Sequence, residues 1–193
     1  MIDTIESLQR IYGVILALAI TEAFKEFAKP TNRDTKEKAS DRWPFYPDNI
    51  WAIVSLLFLV IPFFQGMNVY LQRTYGASSS ETHPAWLLFD IAIFTVEAVF
   101  IFLLSRSLPR DRWKIFYRLI GTLLLIDAVW GFIVYRAHGA PTTAWVMVNV
   151  ICGPVLLLLA WRCENKGPIV CFVLVIFRTI VDYYTSWDLY FPP

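Results

Sequence analysis

Histidine, paired cysteine and charge are all scarce in this chain, and each shortage closes off a class of function. Only 2 histidines, His83 and His138, occur among the 193 residues. His83 stands beside Ser78, Ser79, Ser80 and Glu81, and His138 lies in a tight Arg-Ala-His-Gly turn. A polar loop explains both better than a hydrolase site does. The 3 cysteines, Cys152, Cys163 and Cys171, sit in or beside apolar runs without paired spacing. That pattern argues against a disulfide framework or a zinc knuckle and predicts buried, inert thiols. No G-x-S-x-G, H-E-x-x-H, P-loop or C-x-x-C pattern occurs, so neither enzymatic activity nor a cofactor is expected. A metal would have to be held by carboxylates alone, which nothing in the spacing requires. The opening Met1 to Glu6 is acidic and has no small-residue cleavage site, so no signal peptide is expected, and no lipidation motif is seen.

Charge is the most informative shortage. Charged residues make up 17% of the chain, against about 25% in an average soluble domain. In their place stand 57% hydrophobic and 17% aromatic residues, with a mean hydropathy of +0.52. A soluble domain of this length has too little interior to hide so much apolar surface. The apolar residues also fall into runs near the ~20 residues that a bilayer crossing requires.

Taken in order, the first run is Leu8 to Ala28, with Gly13, Ala17 and Thr21 forming a small-xxx-small face for close helix packing within the chain or between subunits. Glu22, Lys25, Glu26 and Lys29 make its second half amphipathic. The run therefore spans, or else lies in the interface; spanning is the reading adopted here. A polar loop over 29–48 follows. The second run, Ile50 to Leu71, contains the helix-kinking Pro62, with Gln65 and Asn68 on one side of its second half. The third, Ala85 to Ser105, carries Asp90 and Glu97 on one face. The fourth, Ile115 to Tyr135, holds Asp127. The fifth, Thr143 to Trp161, holds Asn149 and a break at Gly153-Pro154. The sixth contains Arg178 and Asp182 and ends near Thr185, before a short aromatic tail. The expected fold is all-α: one polytopic integral membrane domain of six transmembrane helices, or five if the first lies flat.

Alternate loops differ sharply in basic residues. The first, third and fifth contain Lys29, Arg33, Lys36, Lys38, Arg42, Arg106, Arg110, Arg112, Lys114, Arg162 and Lys166, eleven in all, whereas the second and fourth contain only Arg73 and Arg136. The positive-inside rule then makes the odd loops cytoplasmic and puts the C-terminus outside, most simply in a cytoplasmic (inner) membrane. Trp51, Trp86, Trp113, Trp145, Trp161 and Trp187, at run ends, suit an interfacial aromatic belt. Anionic lipid headgroups account for the basic loops without nucleic acid.

This orientation places Gln65, Asn68, Asp90, Asn149 and Asp182 in the outer half of the bilayer, with Glu97, Asp127 and Arg178 nearer its middle. A bare arginine at the midplane costs at least ~3 kcal/mol on insertion scales, so Arg178 needs partners. Hydrocarbon offers none, and the polar groups must face inward. The expectation is a charge network of Arg178, Asp182, Glu97, Asp127 and Asp90, with Gln65, Asn68 and Asn149, lining an outward-opening polar cavity. With Arg178 and Asp182 paired, Glu97 and Asp127 carry excess negative charge, to be met by a proton, a cation or a second subunit. The same network can equally serve only to fix helix register; for Gln65, Asn68 and Asn149 ordinary interhelical hydrogen bonding is the simpler reading. Two function classes follow. One is a channel- or transport-like homo-oligomer using this cavity. The other is a non-enzymatic membrane sensor or anchor whose basic loops recruit a cytoplasmic protein, as in a stress- or phage-defence assembly.

Overall fold

The computed structural model describes residues 2–28, 47–76, 84–108, 112–138, 143–163 and 167–191. Among them the chain forms helices α1 (Ile2–Phe27), α2 (Pro47–Tyr75), α3 (Pro84–Arg106), α4 (Trp113–His138), α5 (Thr143–Arg162), α6 (Gly167–Thr185) and the single turn α7 (Trp187–Tyr190), with no strand. Proline opens α2 and α3 and is the second residue of α6. These are positions where its missing N–H costs nothing and its fixed φ favours the first turn. Six helices, all but α7, are long and apolar enough to cross a membrane. The protein is an all-α, polytopic membrane bundle.

The helices pack as a ring in the order α1, α3, α4, α5, α6, α2, with α2 also touching α3 and α4 across the middle. We call the end where α2, α4 and α6 finish the α7 end. The bundle is apolar on both its inner and outer faces. Leu18, Ile151, Phe177 and Ile180 point outward with 57%, 64%, 59% and 59% exposure. A surface of that kind suits hydrocarbon, which can cover it without competing for backbone hydrogen bonds already made within each helix.

Inside, the core has two layers. One is aliphatic, built around Leu56, Ile101, Leu104, Ile120, Leu124 and Leu156. The other, toward the α7 end, is aromatic, with Tyr12, Tyr70, Tyr75, Phe94 and Trp130. Tyr70 and Trp130 meet edge to face with centroids 4.9 Å apart, the geometry that ring quadrupoles favour.

Helix α1 belongs to the ring rather than lying on its surface. Tyr12, Leu16, Ala19 and Ala23 are all buried, and their 4-3-4 spacing is that of a packing seam. The Tyr12 hydroxyl reaches across to donate to Ile91 O at 3.0 Å. The small-residue face does not form this seam. Ala17 and Thr21 are exposed, and the Thr21 hydroxyl turns back onto Ala17 O at 2.8 Å. Within the chain Gly13 faces the Phe64 ring, where an added Cβ would stand at an ordinary contact distance of 3.7 Å. Small residues permit close approach, but the bulkier seam rotated away from them decides which way α1 faces.

The expected break at Gly153-Pro154 is absent, for α5 runs through Pro154. In α2, Pro62 has no N–H to offer the carbonyl of Phe58, one turn earlier. The Thr179 hydroxyl of α6 donates to that carbonyl at 3.0 Å. An interhelical bond thus replaces the missing intrahelical one. Thr179→Val keeps the volume and removes the donor; it is expected to lower unfolding stability in micelles by about 1 kcal/mol, within the range of such membrane bonds. Thr179→Ser should retain wild-type stability more closely, and equal losses in both variants would exclude the hydroxyl as the cause.

Candidate functional site

Arg178 is 4% exposed and sits where α4, α5 and α6 meet. Its guanidinium is committed in three directions. Nη1 pairs with Asp182 Oδ2 at 3.1 Å, one turn along α6. Nε donates to Asn149 Oδ1 at 2.9 Å, and Nη2 stands 4.0 Å from Asp127 Oδ2. Asn149 Nδ2 in turn donates to that same Asp127 oxygen at 2.6 Å. Asn149 is therefore the bridge between Arg178 and Asp127, a role its amide suits because it presents an acceptor to one side and a donor to the other.

Glu97, on α3, completes the cluster from the opposite wall. It is fully buried and its carboxyl interacts with that of Asp127. Neither Glu97 oxygen has a hydrogen-bond partner, and Asp127 Oδ1 and Asp182 Oδ1 lack one as well. These atoms surround a cavity of about 30 Å³ lined by Glu97, Asp127, Arg178, Asp182, Trp145 and Tyr190, with Leu59, Pro62, Phe63 and Gly66 of α2 closing one side. Its volume is about the share that one water takes in the liquid. Trp145 lines this space with its indole N–H near the Asp127 carboxyl, outside full hydrogen-bond geometry.

At the side where the cavity is expected to open outward, α7 folds back over it. Tyr190 is 5% exposed, and its hydroxyl donates to Asp182 Oδ2 at 3.1 Å. Gln65 Nε2 holds the Tyr190 carbonyl at 3.2 Å, and the Tyr183 hydroxyl donates to Gln65 Oε1 at 3.1 Å. The ring rests on Gly66, 3.4 Å from where a Cβ would stand. Burial first, then the charge of Asp182, push the Tyr190 phenol above its ordinary range. It therefore remains protonated and donates.

Three of the residues predicted for the network lie elsewhere. Asp90 is fully buried but forms its own centre in the aromatic layer. It accepts from Tyr75 at 2.6 Å, Tyr70 at 2.9 Å and Trp130 Nε1 at 2.8 Å. Three neutral donors satisfy it there without a cation. Two helical turns of rise, ~10 Å, separate it from Glu97 on the same face of α3. Asn68 is half-buried; its backbone carbonyl takes a bond from Gln9 at 3.3 Å, and its own Oδ1 has no partner. Gln65 touches the site only through Tyr190 and Tyr183.

At the opposite end, Arg106 and Arg112 are exposed, and Lys114 lies over the Trp113 ring at 5.7 Å. Lys29, Arg33, Lys36, Lys38, Arg42 and Arg110 fall outside the described residues. The expected tryptophan belt is partial: Trp161 and Trp187 are well exposed, while Trp86 packs on the aromatic core and Trp145 lines the cavity. Glu22 pairs with Lys25 at 3.6 Å.

Tyr190, Trp145 and Gly66 were not foreseen as site residues. An aromatic at the end of a short tail carries no signal that it folds inward, and an interfacial tryptophan looks the same in sequence as one lining a cavity. Comparison of the chain with protein families, with curated proteins and with solved structures finds no match. Its own geometry has to carry the functional reading.

Proposed function

We propose that this protein is a small channel- or transport-like membrane protein in which the Glu97, Asp127, Arg178 and Asp182 cluster is the station that a translocated ion or solute must pass. One observation carries the reading: Glu97 is fully buried, lines a small cavity, and has no protein hydrogen-bond partner on either oxygen among the described residues. Intramembrane carboxyls are costly and need a reason to persist, and a group serving only to fix helix register would have its hydrogen bonds made. The small volume of the cavity supports a homo-oligomer, with the pathway completed between copies. The charge bias of the loops supports an inner-membrane orientation with the α7 end outside.

The test is ion and proton flux in proteoliposomes, wild type against Glu97→Gln, with insertion and oligomeric state checked in parallel. The substitution keeps shape and removes only the ionisable group. Flux that falls to the level of empty liposomes in a correctly assembled variant is the expected result. Wild-type flux in Glu97→Gln would sink the proposal.

A second reading is favoured by Tyr190 lying across the cavity: the functional surface is then the other end of the molecule, and the protein is a membrane sensor or anchor that recruits a cytoplasmic protein through exposed Arg106 and Arg112 and the neighbouring basic segments. On that reading, charge reversal at Arg106 and Arg112 removes activity while Glu97→Gln leaves it intact.

A further inference from the structure

Resting on the reading of the cluster as a translocation station, we propose that Glu97 and Asp127 share a single proton, and that a proton is the species this site handles. The inference begins with the donor count. Arg178 spends Nε on Asn149 and Nη1 on Asp182, and its Nη2 approaches only Asp127 Oδ2. Asn149 Nδ2 also goes to Asp127 Oδ2. The Arg178 and Asn149 donors thus converge on one oxygen of Asp127, with the Trp145 indole N–H the other donor near this carboxyl. Oδ1 is left bare beside a Glu97 carboxyl that has no donor on either oxygen.

Two ionised carboxylates held against each other away from water repel strongly, and neighbouring carboxyl pairs relieve this by retaining one proton. That proton also makes the missing bond, an O–H···O⁻ contact of the short, charge-assisted kind. Around Glu97 the other titratable or charged groups among the described residues are Tyr12 of α1, Asp127 of α4, Arg178 and Asp182 of α6, and Tyr190 of α7, with Cys152 of α5 beside Arg178. Helix α2 lines the cavity with apolar residues and Gly66 only. Among these groups Arg178 is the one cation, and it pairs with Asp127 and Asp182. One cation facing the carboxyls of Glu97, Asp127 and Asp182 leaves negative charge that a proton can offset in the space available.

A metal ion fits poorly. Calcium requires six to eight oxygen ligands, and magnesium keeps several waters. The cavity, at about 30 Å³, has room for a single water. No group of three His, Cys, Asp or Glu among the described residues is arranged to hold a metal.

Infrared spectroscopy of the purified protein in lipid nanodiscs tests this without relying on flux. At neutral pH the wild type should show a protonated-carboxyl C=O stretch that shifts in D₂O and does not respond to sodium or potassium. Glu97→Gln should abolish it, because Asp127 then keeps only donors and the arginine as neighbours. Asp127→Asn should keep the band but move it, since Glu97 then holds the proton without a carboxylate to share it. Absence of the band in the wild type, its survival in Glu97→Gln, its loss on adding sodium, or an unmoved band in Asp127→Asn would each overturn the shared proton. Should the Asn variant fail to assemble, Glu97→Gln and the sodium titration still decide. A band with no proteoliposome flux would uphold the shared proton and remove the pathway; flux without a band would do the reverse.

Discussion

Arg178→Met is expected to lower the unfolding free energy in mild micelles by about 3–5 kcal/mol, the cost of removing one partner from a buried charge cluster. Methionine restores much of the volume, so the deficit comes from what is left behind. Asp182 would keep the Tyr190 hydroxyl and Asp127 the Asn149 amide, both without a cation from Arg178, and Asn149 Oδ1 would lose the Arg178 Nε donor. A cycle separates pairing from packing. Adding Asp182→Asn to Arg178→Met removes the carboxylate that sat 3.1 Å from the guanidinium. The double variant should be more stable than the sum of the single losses, by an interaction term of up to ~3 kcal/mol for residues in direct contact. Acid should also narrow the deficit, because protons then neutralise carboxylates that the guanidinium no longer serves. An Arg178→Met protein as stable as wild type at neutral pH would mean that the cluster does not need its cation. The size of this loss is also why flux is better tested with Glu97→Gln, which leaves the Arg178 pairings in place.

The division of the molecule into legible and illegible parts follows from what periodicity carries. The six spans were readable because a bilayer sets a length and hydrocarbon sets a composition. Arg178 and Asp182 were readable as a pair because i and i+4 on one helix fixes their separation. Asp90 shows where that logic ends. A spacing of seven places it on the same face as Glu97, yet rise along the helix carries it into a different layer. Its partners Tyr70, Tyr75 and Trp130 are aromatics, which sequence cannot distinguish from ordinary core. Thr179 is a similar case: the proline in α2 announces an orphaned carbonyl, but nothing in the chain says which hydroxyl on another helix will reach it. The small-residue stripe on α1 reports permission for close contact, not its direction.

Close contact is instead realised at Gly121 of α4 and Gly153 of α5, and here the largest packing effect is expected. A Cβ on Gly121 would stand 2.9 Å from the Gly153 carbonyl oxygen and 2.9 Å from Leu157 Cγ. A Cβ on Gly153 would stand 3.1 Å from the Gly121 carbonyl oxygen and 3.0 Å from Leu125 Cγ. The contact is reciprocal, and one obstacle on each side is backbone. A leucine can change rotamer; a helical carbonyl moves only with its helix. Gly121→Ala should therefore push α4 and α5 apart and cost about 1–3 kcal/mol, the usual range for overpacking, with Gly121→Val costing more. The shift would carry Asp127 away from Asn149, which joins these same two helices through a 2.6 Å bond, so loss of activity should accompany loss of stability. The companion substitution Leu157→Ala tells the two obstacles apart. It relieves the side-chain clash but leaves the oxygen in place, and should recover little of the stability lost in Gly121→Ala. Gly167 provides the contrast: a Cβ there would run into the indole of Trp113, a side-chain clash that Trp113→Leu can relieve. Full rescue of Gly121→Ala by Leu157→Ala, measured by denaturant unfolding of the purified proteins, would show that the leucine rather than the backbone sets the distance between α4 and α5.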